Sequence, residues 1–320
     1  MPNKLLKSLT QVLLYSNEPG LQYKAVHQLH KLYSDATGIN AGDVSDAFIH
    51  LPSGKAVSPV SAAHCLLEYK RTAIFLRGIY KAILHLRQKS TAQKIHILYA
   101  GSGPFASLVT PLTTLFAPDE ICFDMLDINP VSLNAVKRLY NKLDLLPYIN
   151  RFIEADATAY QIDKNEAVHL VISETMNRAL EKEPLVYIMQ NLIPQLHGDS
   201  IFIPQAITIS SCLSRSVKEL PEMATGLRPG GAIPGIVYRV KQADPTPTST
   251  IMVKIPVKNN NDKSLFLLTT IDVFDDEVLA LNDCSLTLPK FITSIEGHEG
   301  KSVHFEYIMD RNPRFEAVIS

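Results

Sequence analysis

The stretch ILYAGSGPFASL, Ile97 to Leu108, decides how the chain is read. A short apolar run from Ile95 to Ala100 ends in Gly101-Ser102-Gly103-Pro104, and Phe105, Leu108, Val109, Leu112 and Phe116 then recur on one helical face. The pattern predicts a buried strand, a tight glycine turn and a helix. Further on, Ile121–Leu126 reads as a second buried strand ending at Asp127. Asn129-Pro130 then offers an N-cap followed by a proline at the first helical position. Phe152–Glu154 and Val168–Ser173 read as two more strands. Pro184 opens another helix, with Leu185, Ile188, Met189, Leu192 and Ile193 inward. Strand and helix alternate, which predicts an α/β fold with a parallel, helix-covered sheet.

The flanks have different textures. Residues 1–90 read as helical: Leu5, Leu6, Leu9, Val12 and Leu13 share one face, as do Val26, Leu29 and Leu32. A turn-rich stretch from Gly38 to Pro59 precedes a long helix over Ser61–Arg87. After Phe202 the period becomes two, as in Ile207, Ile209, Ser211, Leu213 and in Ile251, Val253, Ile255, Val257. Asn259–Asp262 reads as a turn and Ala243–Ser249 as a loop, so an antiparallel β domain is predicted. The division is then 1–90 helical, 91–203 α/β and 204–320 β-rich.

Composition narrows the function. The 320 residues carry a net charge of −1, so no overall basic field exists to draw the protein onto nucleic acid or an anionic membrane. Cys65, Cys122, Cys212 and Cys284 form no CxxC pair and read as small hydrophobes of a reducing compartment. The amino-terminal segment reads as an amphipathic helix and not a signal peptide, which makes the cytoplasm the expected location. The ten histidines form no HxxxH or HExxH pattern, so no metal is expected. No Gly-x-Ser-x-Gly elbow is present to suggest a hydrolase.

Gly101 and Gly103 let the backbone turn tightly and approach a ligand without Cβ interference. An acid at the end of the next strand, Asp127, can accept both hydroxyls of a ribose. Together they predict an adenosine-containing cofactor. The same Gly-x-Gly-x-x-Ala pattern suits a dinucleotide. Pro104, however, lacks the N–H that a pyrophosphate would use there. Asp156, after the third strand, has two readings: an adenine contact, or a cap on its own turn.

These residues resemble the class I S-adenosylmethionine methyltransferases, whose successive motifs match ILYAGSGPFASL, MLDINPVSLNAV, EADA and LVISE. Within that class the chain is most similar to the protein arginine methyltransferases, over roughly Leu66–Ile209. Asn141–Asp144, Ile172-Ser-Glu-Thr-Met176 and Ile203-Pro204 resemble family stretches, and Glu68-Tyr-Lys-Arg-Thr72 resembles the family's Asp-x-x-Arg-Thr. The resemblance implies a Rossmann-like core followed by a β domain, with S-adenosyl-L-methionine as cofactor. It implies cofactor contacts from Arg71, Ala100, Gly101, Ser102, Gly103, Asp127, Ile128, Asp156, Ala157 and Glu174. It implies a catalytic pair, Glu174 and Glu183, nine positions apart as in the family, which would hold and orient an acceptor. Glu181 competes with Glu183 for that role.

Two departures bear on the acceptor. The chain has no tryptophan, so the family's Thr-His-Trp loop is absent. Arg178 and Lys182 lie between the glutamates, where they would repel a cation or pair with the carboxylates. The expected activity is therefore methyl transfer to a small-molecule or peptide acceptor, with a small nitrogen acceptor favoured. The resemblance leaves room for a homodimer. Arginine methylation, transfer of another group from the same cofactor, a non-catalytic cofactor-binding protein and a dinucleotide oxidoreductase stay open as alternatives.

Overall fold

A computed structural model describes residues 2–39, 48–89, 94–219, 235–246, 251–257 and 263–320. The turn expected at Asn259–Asp262 lies outside the described residues, as do parts of Gly38–Pro59 and of Ala243–Ser249. Helices α1 (Pro2–Tyr15) and α2 (Pro19–Thr37) open the chain. A hairpin of β1 (Ile49–Leu51) and β2 (Gly54–Ala56) follows, then α3 (Pro59–Cys65) and α4 (Tyr69–Lys89). The single helix expected over Ser61–Arg87 is thus two. Leu67 and Glu68 donate to His64 and Cys65 three residues back, which tightens and ends the first helix, and the Thr72 hydroxyl takes the Leu66 carbonyl.

The α/β core holds β3 (Ile95–Ala100), β4 (Ile121–Asp127), α5 (Pro130–Lys142), β5 (Ile149–Glu154), β6 (Leu170–Ser173), α6 (Leu185–Leu192) and β7 (Ile201–Ile203). The five strands pair in parallel in the order β5-β4-β3-β6-β7. All six residues of β3 are buried, as a continuous apolar run covered on both faces requires. Asn129 caps α5 by accepting from the Val131 N–H, with Pro130 in the first turn.

One sequence expectation fails here. No α-helix follows Gly103; turns lead to a short 3₁₀ segment at Thr110–Thr114. Ala106 sits at φ 43°, Pro111 lacks an N–H, and the Thr110 hydroxyl bonds the carbonyls of Phe105 and Ala106. The apolar spacing over Phe105–Phe116 reflects burial beneath the amino-terminal helices. Tyr33 of α2 meets the Phe105 ring edge-on, and Thr10 of α1 bonds the Pro111 carbonyl.

The rest of the chain is antiparallel. Strands β8 (Ala206–Ser214), β9 (Gly235–Lys241), β10 (Ile251–Lys254), β11 (Ser264–Phe274), β12 (Glu277–Leu279), β13 (Lys290–Ser294), β14 (Ser302–Ile308) and β15 (Arg314–Ile319) form two sheets. One runs β12-β11-β8-β9 with β13 added on β11, the other β10-β14-β15. The period of two read at Ile207–Leu213 appears as β8, whose Ile207, Ile209 and Leu213 are buried. Helix α4 ties the two parts together. Its Lys81 pairs with Asp276 and Glu277, and its Gly78 lies directly on β11.

A Cβ at Gly78 would stand 2.5 Å from Val273 Cγ1. Gly78→Ala gains about 1 kcal/mol of helix propensity but overpacks this contact at a cost of about 1–3 kcal/mol. The urea midpoint should fall, and Val273→Ala in the same chain should restore it. A raised midpoint in the single variant would mean that α4 yields freely.

Candidate active site

Strand order reverses beside β3: β4 and β5 lie to one side, β6 and β7 to the other. Ligands of open parallel sheets bind outside the carboxyl ends of the strands at such a point. Register places Ala100 opposite Leu126 and Ser173, and Asp127 opposite Glu154. The residues that follow these strand ends, Gly101, Ile128, Ala155 and Glu174, all line one cavity of about 260 Å³.

Of the residues named from sequence, Arg71, Gly101, Ser102, Gly103, Asp127, Ile128, Asp156, Ala157, Glu174 and Glu183 line this cavity. Ala100 does not; it is the buried last residue of β3. The loop turns at Gly101 (φ 78°) and Gly103 (φ 63°), and the N–H groups of Gly101 and Ser102 donate to the Leu126 carbonyl. A Cβ at Gly101 would stand 2.4 Å from the Thr175 methyl. The glycine is therefore required by the protein's own packing as well as by left-handed φ.

Asp127 is buried and held by two backbone donors at 2.8 Å, Gly103 N–H and Asn129 N–H. Burial pushes its carboxyl up to about 6, against those two donors, which lower it. Asp156 caps its own turn by accepting from the Thr158 N–H and hydroxyl, both at 2.8 Å, and still borders the cavity. The two sequence readings of this residue are compatible: the turn presents it.

Three carboxylates and one arginine form the centre. The Arg71 guanidinium is buried, with Nη1 2.9 Å from Glu68 and Nη2 paired to Glu174. Burial raises the Glu174 carboxyl above the usual carboxylate range, although Arg71 opposes the rise. Burial also pushes Glu183 up to about 7, with Arg71 opposing, Glu174 adding to the rise and Lys55 opposing. Glu181 pairs with Lys290 and does not line the cavity, so geometry separates it from Glu183.

One sequence expectation needs correction. The side chains of Arg178 and Lys182 are exposed and line no part of the cavity. Ala179, Leu180 and Lys182 take positive φ of 53°, 54° and 65°, which coils the loop, and Arg178 and Lys182 emerge on its solvent side. The cation paired with Glu174 comes from α4 instead. The Ser285–Thr287 turn forms one wall: Leu286 borders the cavity, and Ser285 donates to Glu68 through its N–H (2.8 Å) and its hydroxyl (2.9 Å).

Sequence reasoning also missed the roof. The β1–β2 hairpin contributes Leu51, Lys55 and Ala56 to the cavity, within a stretch read only as turns. The Lys55 N–H donates to the Lys182 carbonyl at 2.7 Å. Gly54 packs so closely that a Cβ would stand 2.8 Å from that same oxygen. The Pro-Ser-Gly turn at 52–54 is the only sequence signal for this hairpin. Apart from the cavity, His96, Asp124 and Glu166 come within metal-ligand reach, but the Arg151 guanidinium already pairs with both carboxylates.

No protein-family model matches the sequence, and no curated protein matches it. Solved structures do share its fold. The PRMT1 enzyme–prozyme heterotetrameric complex of Trypanosoma brucei with AdoHcy matches at TM-score 0.51 and 13% identity, over 80% of this chain and 91% of that one. PRMT6 with SAH matches at 0.52 and 10%, over 78% and 96%. A further PRMT6 structure matches at 0.56 and 10%, over 81% and 98%. The chain has the fold of these methyltransferases, a parallel α/β core followed by an antiparallel β domain. Among the described residues, no helix is long and apolar enough to cross a membrane.

Proposed function

We propose that the protein is an S-adenosylmethionine-dependent methyltransferase acting on a small nitrogen acceptor. One observation carries the reading: Gly101, Gly103, Asp127, Arg71 and Glu174 converge on one cavity at the switch point of the sheet. The residues suit the cofactor chemically. Asp127 offers an anion to ribose hydroxyls, Asp156 offers an acceptor to an adenine amino group, and Arg71 offers a buried guanidinium to an amino-acid carboxylate. S-adenosylmethionine supplies a methyl group activated on a sulfonium. The protein's own task is then to position the acceptor and receive its proton.

Glu174 and Glu183 border the remaining space. Arg71 already pairs with Glu174, and burial raises the Glu183 carboxyl. A guanidinium would have to compete with Arg71 for the same carboxylate, and this favours an amine or another small nitrogen over an arginine side chain. The shared fold with PRMT1 and PRMT6 favours the second reading, methylation of protein arginine.

Calorimetry with S-adenosylhomocysteine tests the cofactor. Binding should tighten as pH rises through about 6, because the ionised form of Asp127 accepts the hydroxyls and its carboxyl titrates there when free. Asp127→Asn should weaken binding at least tenfold and flatten the slope. Charge-assisted bonds of about 1.5–3 kcal/mol each set that minimum. NADH binding without any response to S-adenosylhomocysteine would sink the reading.

A further inference from the structure

The cavity carries a cation that methyl transfer, as read above, leaves unused. Lys55 lines the cavity from β2, half-buried, with its backbone fixed 2.7 Å from Lys182, next in the chain to Glu183. Its ammonium lies 3.2 Å from the centroid of the Phe48 ring. Among the described residues no carboxylate comes within 4 Å of it, whereas the other cavity cation, Arg71, is paired twice. Glu183 acts on this ammonium only from beyond ion-pair distance, and a ligand anion would supply the contact partner that it lacks.

The position gives the charge a meaning. The hairpin is anchored at both ends. Gly54 and Lys55 seat against residues 182 and 183, and the Ser53 hydroxyl reaches Thr158 Oγ1 at 3.5 Å, beside the Asp156 turn. The proposed function gives the cofactor's one carboxylate to Arg71, which leaves Lys55, close enough to act on Glu183, for the acceptor. We propose that Lys55 is a specificity-determining residue that receives an anionic group, carboxylate or phosphate, carried by the methyl acceptor. The acceptor is then a small molecule with a nucleophilic nitrogen and an acid on one skeleton. The inference rests on the methyltransferase reading and narrows its substrate class.

The test compares wild type, Lys55→Gln and Lys55→Arg, each shown by its melting curve to be folded. Calorimetry with S-adenosylhomocysteine is the control, and tritiated S-adenosylmethionine with a metabolite extract is the assay. The expected labelled product bears an acid by mass spectrometry, and its response to phosphatase separates phosphate from carboxylate. With that product's precursor as substrate, Lys55→Gln should raise KM at least tenfold and Lys55→Arg should restore it. Affinity for S-adenosylhomocysteine should stay within twofold throughout. A labelled product with no acid, or an unchanged KM, overturns the inference while leaving the transferase intact. Lost S-adenosylhomocysteine affinity in Lys55→Gln also overturns it, because the lysine would then serve the cofactor. Wild-type protein that binds no S-adenosylhomocysteine, or binds it and labels nothing, removes both readings.

Discussion

Arg71→Met will lose at least a hundredfold in S-adenosylhomocysteine affinity and about 3–5 kcal/mol of stability, the usual cost of stranding one side of a buried ion pair. Arg71 holds two carboxylates at once, Glu68 at 2.9 Å and Glu174. Its guanidinium is buried, so solvent cannot take its place. Glu174 will respond by binding a proton, since burial already raises its carboxyl. A raised folded-state value stabilises at low pH and loses that stabilisation as pH rises. The variant's deficit against wild type should therefore shrink in acid and widen toward neutral pH. Adding Glu174→Gln removes the stranded charge. The double variant should recover much of the melting temperature but none of the affinity, because the cofactor's carboxylate still lacks its guanidinium. Unchanged affinity in the single variant would reduce Arg71 to a tie between α4 and the Ser285 turn.

That network shows where sequence reading reaches and where it stops. The alternation of apolar runs with glycine and acid at their ends is local information. It suffices to bring the sheet, the Gly101–Gly103 loop and Asp127 together. Arg71 joined them only through a family likeness, because nothing local tells a helix arginine that is buried from one that is solvated. The partner that orients Glu68 is Ser285, 217 positions away, and no periodicity encodes such a contact. The β1–β2 hairpin has strands of three residues, too short for a period of two to show. The missing helix after Gly103 is the reverse case. Its apolar spacing is real, but α1 and α2 satisfy it by packing, while Pro111 and the Thr110 hydroxyl disrupt the helix. Arg178 and Lys182 are close to the glutamates in sequence, but their side chains do not share the cavity with them. Three positive-φ residues in five positions set their side chains apart from the cavity.

Glu174→Gln will lower turnover by about a hundredfold or more, the usual range for loss of a positioned proton acceptor, and leave S-adenosylhomocysteine affinity within a few-fold of wild type. The side chain follows directly on β6, whose Ser173 is in register with Ala100 at the end of β3, so the sheet itself sets its place. Glutamine keeps that shape and removes the charge that would orient the acceptor's N–H or receive its proton. Arg71 loses one of its two anions, but Glu68 remains to hold it for the cofactor. Binding and turnover should therefore separate in this variant, whereas Arg71→Met damages both. The assay offers tritiated S-adenosylmethionine first to Gly/Arg-rich peptides and then to a metabolite extract. Label in a small product, lost in Glu174→Gln, supports the proposed acceptor class. Robust methylarginine would overturn it and show that Arg71 and the raised carboxyl of Glu183 leave enough negative charge for a guanidinium after all. Equal turnover in wild type and variant would place the proton acceptor elsewhere in the cavity, with Glu183 the next residue to change.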